Sequence, residues 1–316
     1  MKVYIISNRE DADNFMAWHE SEVPIKKFVE CGALHVHADE FFSSHSQSID
    51  KNDIVIVYIG LKNENHRSEF AKLDCIKGLR TLDAKSSDGI VHRKSLESHK
   101  NWGNFNFWLV GIPNKDYNKV VSENGINGIN FTHCSSFDNI ENSDSVFKKK
   151  QIDLLISGQM HQKFYPDRWR IFEAACKQSS YTTRMLPHPG YEKNKLAHPY
   201  IGENYVEFCK FFWTGAVGTG QADGLHMKFL EFAKSFTLPL GETPTYMPER
   251  ISKLILKVGL GEEYEETNRE ISHVLSDKEK LKERIISYSE EIRKEYDVNV
   301  MVPRVYEKIL RRDWDF

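Results

Sequence analysis

The sequence predicts an α/β fold of two doubly wound, Rossmann-like domains, and three observations carry that expectation. Short runs rich in β-branched residues alternate with longer helical stretches, the pattern of parallel sheets covered on both faces. A polar tract at 140–150, I-E-N-S-D-S-V-F-K-K-K, interrupts the alternation, and a new strand follows at once. With 316 residues and 40% hydrophobic content, the chain can bury one large core or two ordinary ones, and its length favours about two domains.

The first domain is expected over 1–147, with strands at 3–7, 33–38, 53–60, 105–113 and 129–134. The second, 148–297, starts with a strand at 151–158 and a helix near 167–178. It continues through T-T-R-M-L-P-H-P-G, a helix at 203–212, a glycine-rich loop over 215–224, a helix from about Leu225, and F-T-L-P-L at 236–240. Pro248 begins a helix where a missing N–H costs little. Ser276 and Glu279 have the spacing of a capping box ahead of Leu281, Ile285, Ile292 and Tyr296. A last helix starts at Pro303 in the closing segment 298–316, and the D-W-D of 313–315 is expected to be solvated.

Composition narrows the function classes. The 43 basic and 46 acidic residues leave a formal charge of -3, so nothing draws the whole molecule to nucleic acid or anionic lipid. Five scattered cysteines without a C-x-x-C pair fit a reducing compartment. No run is long enough to span a bilayer, and the N-terminus lacks a signal-peptide core, so a cytoplasmic protein is expected, compatible with peripheral placement at the inner membrane surface.

The stretch D-G-L-H-M-K-F-L-E-F-A-K-S-F, 223–236, places Lys228 and Glu231 three apart on one helical face, while Phe229, Leu230, Phe232 and Ala233 can pack inward. Its plain reading is an amphipathic helix with a surface ion pair. Two features favour a ligand instead. Asp223 and Gly224 lie at the N-terminal end, where free N–H groups favour an anion. Four glycines between Gly215 and Gly224 would let backbone approach a ligand, at the carboxyl ends of strands where open α/β sheets bind them.

Asp223 and Glu231, with seven residues between them, resemble the E-x7-E helix of GT-B glycosyltransferases. K-F-L-E-F-A is similar to the K-x-x-E stretch with which members of that class hold a nucleotide-sugar. The resemblance places Lys228 near the diphosphate and Glu231 on the ribose hydroxyls. D-L-L-I-S-G-Q-M-H-Q-K-F-Y-P-D-R-W-R-I-F-E-A-A, 153–175, resembles the start of the C-terminal domain in bacterial and phage glycosyltransferases, a strand ending in S-G followed by Y-P-x-R and a helix. By that resemblance Gly158 makes the tight turn beside the donor, Lys163 and Arg168 meet the diphosphate, and R-M-L-P-H-P-G-Y-E, with Arg184 and His188, occupies the nucleobase position. The likeness covers roughly 140–300. The sequence departs from the pattern in having Asp223 for the usual glutamate and A-K-S-F for the small-residue turn after the second acid.

The resemblance implies the GT-B architecture: two Rossmann-like domains facing a cleft, with the C-terminal helix crossing back to the first. It implies a hexosyltransferase-type enzyme that uses a nucleoside-diphosphate-sugar as co-substrate, with no cofactor and no required metal. In a retaining reaction Asp223 or His226 would line the sugar. In an inverting one a base would come from the first domain, where His37, Asp39 and Asp83 are available. Polysaccharide, lipid-linked glycan, protein and phage DNA remain open as acceptors, the balanced charge disfavouring the last.

H-V-H-A-D offers the rival reading. On a strand, His35, His37 and Asp39 share one face, a set able to hold zinc in a metal-dependent hydrolase. A nucleotide-sugar epimerase on the same scaffold is the other alternative. The D-A-D of 11–13 has the form of a metal-binding D-x-D but more simply starts the first helix.

Overall fold

A computed structural model of the chain describes residues 1–8, 18–58, 61–81, 104–113, 115–177, 180–188, 200–220, 223–258 and 264–314. The chain divides into two compact units, Met1–Cys134 with Val298–Phe316, and Ser135–Asp297.

The first unit is built on β1 (Val3–Ser7), β2 (Leu34–His37), β3 (Ile54–Val57), β4 (Ile76–Thr81), β5 (Phe107–Val110) and β6 (Asn127–Asn130). They form one sheet in the order β2-β1-β3-β4-β5-β6, and every neighbouring pair is parallel. Helices α1 (Trp18–Glu30), α2 (Glu64–Lys72) and α3 (Lys115–Glu123) connect them. All four residues of β3 are fully buried, as expected of a strand covered on both faces.

β4 was not apparent in the sequence because I-K-G-L-R-T carries two cations and a glycine. Lys77 is satisfied locally. Lys77 sends its Nζ to the Ala71 carbonyl at 2.9 Å, and its amide donates to Asn106 Oδ1 at 2.8 Å. Gly78 leaves room for the Phe107 ring, since a Cβ there would lie 2.5 Å from its Cζ. The strand expected at 129–134 lies earlier, at β6, and β2 ends at His37.

The second unit holds β7 (Ile152–Gly158), β8 (Thr183–Pro187), β9 (Phe212–Ala216) and β10 (Leu238–Leu240), a parallel sheet in the order β10-β9-β7-β8. Its helices are α4 (Ser143–Lys149), α5 (Pro166–Lys177), α6 (Glu203–Cys209), α7 (Met227–Lys234), α8 (Glu249–Ser252), α9 (Tyr264–Ser276) and α10 (Lys278–Tyr296). β9 begins the stretch expected to be a glycine-rich loop. Gly215 serves packing there, because a Cβ would collide with the Phe232 ring of α7. The tract 140–150 is an integral part of this unit. Glu141 accepts from Lys149 and Lys210 at 2.7 and 2.9 Å, and the buried Lys150 donates to the Phe212 carbonyl.

α11 (Val298–Arg311) closes the chain and belongs to the first unit, packing on α1 and β6. It begins before the expected start and carries Pro303 inside. Tyr306 stacks edge-on against Phe28, and Trp314, expected to be solvated with its neighbours, stacks on Phe107 at 5.3 Å. Among the described residues no helix is long and apolar enough to cross a membrane.

The cap of α10 differs from the expected box by one residue. Asp277 is the N-cap and accepts from the Lys280 amide at 3.1 Å, while Ser276 ends α9 and donates back to the His273 carbonyl. An aspartate accepts the third-residue N–H as well as a serine does, and the boundary shifts accordingly. Asp277→Ala is therefore expected to lower the urea unfolding midpoint and Ser276→Ala to leave it in place. The reverse order would restore the box.

Candidate functional site

The sheet of the second unit ends in Ser157–Gly158. Gly158 has φ +95°, a conformation that side chains resist. Two cations close over it. A Cβ on Gly158 would lie 3.1 Å from Arg168 Nη1 and 3.1 Å from both Cε and Nζ of Lys228.

Each cation is held from below. Arg168 sits in the first turn of α5 and is buried; its guanidinium stacks 4.3 Å from the Tyr165 ring and donates to the Gln159 carbonyl at 3.3 Å. Lys228, half-buried in the first turn of α7, donates to Ser157 Oγ at 2.7 Å and to the Tyr205 hydroxyl at 3.4 Å. Ser157 and Tyr205 share a hydrogen bond of 2.5 Å, and the ammonium lies 5.0 Å from the tyrosine ring centroid. Desolvation pushes the Lys228 pKa down and Arg168 adds a like-charge push; Glu231 opposes them. Glu231, one turn further along α7, has its carboxyl pushed up by burial, against the pull of Lys228 and Lys234. α7 is fixed by its apolar face, with Phe229, Leu230, Phe232 and Ala233 buried, and by the Tyr288 hydroxyl donating to the Phe229 carbonyl at 2.7 Å. The turn after it, A-K-S-F, places Phe236 in the left-handed region at φ 50°.

A second polar group lies beside the cations in sequence. Asp167, buried next to Arg168, has its carboxyl raised by desolvation and then by hydrogen bonding and charge from Glu242. Glu242 accepts from Thr219 Oγ1 at 2.8 Å, and the Thr219 carbonyl lies 3.0 Å from His226 Nε2. Gly220, at φ +64°, brings this loop against Tyr165: a Cβ would fall 3.0 Å from the ring.

Lys228, Arg168 and Gly158 thus come together as a group, with Glu231 on the same helix as Lys228. Among the other expected residues, His226 sets its ring edge-on to Tyr165 at 5.9 Å between centroids. Asp223 has φ 54° and its carboxylate is engaged by Thr245, accepting from the amide at 2.9 Å and from the hydroxyl. His226 is the N-cap residue of α7, but its ring turns to Thr219. Lys163 is exposed in the turn before α5, Arg184 is exposed on β8, and His188 is half-buried just beyond that strand. Ser157, Tyr165, Tyr205 and the Asp167–Glu242 pair were not anticipated; S-G and Y-P-x-R contain three of them, whereas nothing marks Tyr205.

In the first unit, His35 shares a 2.8 Å hydrogen bond with Ser7 Oγ, and burial, then neighbouring His37, push its pKa down. Among the described residues the buried Nδ1 of His37 has no hydrogen-bond partner. Since β2 ends at His37, Asp39 falls in a short helical turn, is 82% exposed, and lies 3.6 Å from His66. The shared strand face expected for His35, His37 and Asp39 does not form, and among the described residues no group of three or more ligating side chains is placed to hold a metal ion. Asp83 and the D-A-D of 11–13 lie outside the described residues.

No protein-family model matches the chain, and no curated protein does. Solved structures do match over nearly the whole length. An alpha-glucosyltransferase solved with UDP is similar at TM-score 0.62 and 12% identity, covering 98% of this chain and 100% of that one. Anabaena HepE with UDP gives 0.60 and 10%, covering 98% and 99%. A UDP-forming α,α-trehalose-phosphate synthase from Burkholderia vietnamiensis gives 0.56 and 9%, covering 93% and 80%. At these identities the likeness establishes the fold: two Rossmann-like α/β units of the GT-B type.

A carboxyl raised in the folded state keeps its proton where the unfolded chain has lost it. The stability that Asp167 contributes is present below the ordinary carboxylate value near 4 and is lost as pH rises through the raised folded value, on the order of 1.4 kcal/mol per pKa unit. Urea unfolding between about pH 4 and pH 8 is expected to show a flatter decline for Asp167→Asn than for wild type. Parallel curves would contradict the buried pair.

Proposed function

We propose that the chain is a glycosyltransferase that takes a sugar from a nucleoside-diphosphate-sugar bound in the Ser135–Asp297 unit. The observation that carries this reading is the convergence of Arg168 and Lys228 over Gly158 at the carboxyl end of β7. Two cations pressed together repel, and a diphosphate with charge on both phosphates relieves that repulsion while accepting their N–H donors. The glycine lets phosphate oxygens approach the backbone. That the compared structures hold UDP supports a uridine nucleotide in this position.

In this reading Arg168 and Lys228 stabilise the charge that develops on the departing diphosphate, a contribution that grows as the glycosidic bond breaks. Ser157 and Tyr205 are positioning residues that fix the Lys228 ammonium. Glu231 accepts from the ribose hydroxyls, Lys163 assists at the diphosphate, and Arg184 and His188 attend the nucleobase. His226 lines the sugar. Asp223, expected as a catalytic group, is assigned to brace the 243–247 turn through Thr245. The transfer needs no divalent ion because the cation pair meets the diphosphate charge. The first unit receives the acceptor, and His37 or Asp39 serves as base if the reaction inverts. The product's anomeric configuration decides between inversion and retention.

UDP is expected to raise the unfolding temperature of wild type by mass action. Lys228→Met and Arg168→Met are each expected to weaken UDP tenfold or more, about 1.4 kcal/mol, and Glu231→Ala to lose most of the shift. Equal shifts in all four proteins would remove the site.

A further inference from the structure

The first unit contains a second cation that its own fold leaves incompletely matched. Arg80 is the penultimate residue of β4 and is 5% exposed. Its Nη1 donates to Ser21 Oγ of α1 at 3.1 Å, and its guanidinium stacks 4.3 Å from the Tyr58 ring and 5.4 Å from that of Phe131. Among the described residues the buried Nε has no hydrogen-bond partner, and neither does the hydroxyl of Tyr58, which is fully buried directly after β3. Among the described residues no carboxylate forms an ion pair with Arg80.

Arginine has five N–H donors and does not neutralise itself by losing a proton. Of the other buried cations here, Lys210 is matched by Glu141 and Glu207 and Lys234 by Glu203, while Lys77 and Lys150 reach backbone carbonyls. Aromatic faces offset only part of the desolvation of a guanidinium and supply no acceptor for its N–H groups. Arg80 and Tyr58 also lie where β3 and β4 end, the edge at which open parallel sheets bind ligands.

We infer that Arg80 and the Tyr58 hydroxyl form a binding site for an anionic group, phosphate or carboxylate, carried by the acceptor. The chemical class rests on the reading of the first unit as the acceptor side; the anion site itself does not. Arg80 supplies charge and N–H donors, Tyr58 an O–H donor, and Ser21 holds the guanidinium in place. A neutral glycan without such a group would leave both unmatched, so the site selects for acceptors that carry one.

The test is thermal unfolding with UDP at saturation, which occupies the Arg168–Lys228 pair, while inorganic phosphate or acetate replaces chloride at constant ionic strength. Wild type is expected to gain a further saturable shift with at least one of the two anions, and the effective one identifies the acceptor's group. Arg80→Met is expected to abolish that shift and Tyr58→Phe to weaken it several-fold, with the UDP shift unchanged in both. Tyr58→Phe removes a hydroxyl that no group among the described residues engages, so it decides the matter if Arg80→Met does not fold. No shift with either anion in wild type, or a shift that survives both substitutions, overturns the site and leaves Arg80 a core cation. A missing UDP shift in wild type would instead count against the donor assignment, and the anion comparison would still decide Arg80.

Discussion

The repulsion between Arg168 and Lys228 is the constraint around which the second unit is arranged. Two cations at one glycine are unfavourable in isolation, and the surrounding structure holds them there. Tyr165 takes the face of one, Ser157 and Tyr205 take two donors of the other, and the apolar side of α7 fixes the direction from which the ammonium arrives. Such preorganisation is what a site needs when its task is to meet charge that grows during reaction, because little reorganisation remains to be done at that moment.

The residues on either side suit that task. Glu231 and Asp167 are carboxyls raised by burial, and they neighbour the cations along α7 and α5 respectively. The glycines have separate jobs. Gly158 and Gly220 adopt conformations suited to glycine close to Arg168, Lys228 and Tyr165, whereas Gly215 makes room for Phe232. A glycine-rich stretch can therefore be part strand and part loop, and only the packing tells them apart.

Much of the fold was legible from apolar runs, since parallel strands buried on both faces leave a nearly continuous signal. β4 escaped because Lys77 and Arg80 look solvent-seeking, although one reaches a carbonyl and the other is enclosed by aromatic rings. In the site, helix phase put Lys228 and Glu231 on one face, whereas Arg168 and Gly158 were named only through the resemblance carried by S-G and Y-P-x-R. The structure brings Lys228, Arg168 and Gly158 together. The role expected of Asp223 rested on spacing along one helix, and its partner Thr245 lies 22 residues away, which spacing does not reveal. Asp39 leaves the strand face of His35 and His37 for a related reason: period-two logic holds only while the strand continues, and β2 stops two residues earlier.

The most direct test compares the affinities of uridine, UMP and UDP by calorimetry, in wild type and in Arg168→Met, at low and high salt. If the cation pair grips a diphosphate, affinity in wild type climbs with each phosphate, the climb flattens in the variant, and added salt weakens UDP most. Affinities that are the same for all three compounds, or an increase that the variant retains in full, would contradict it.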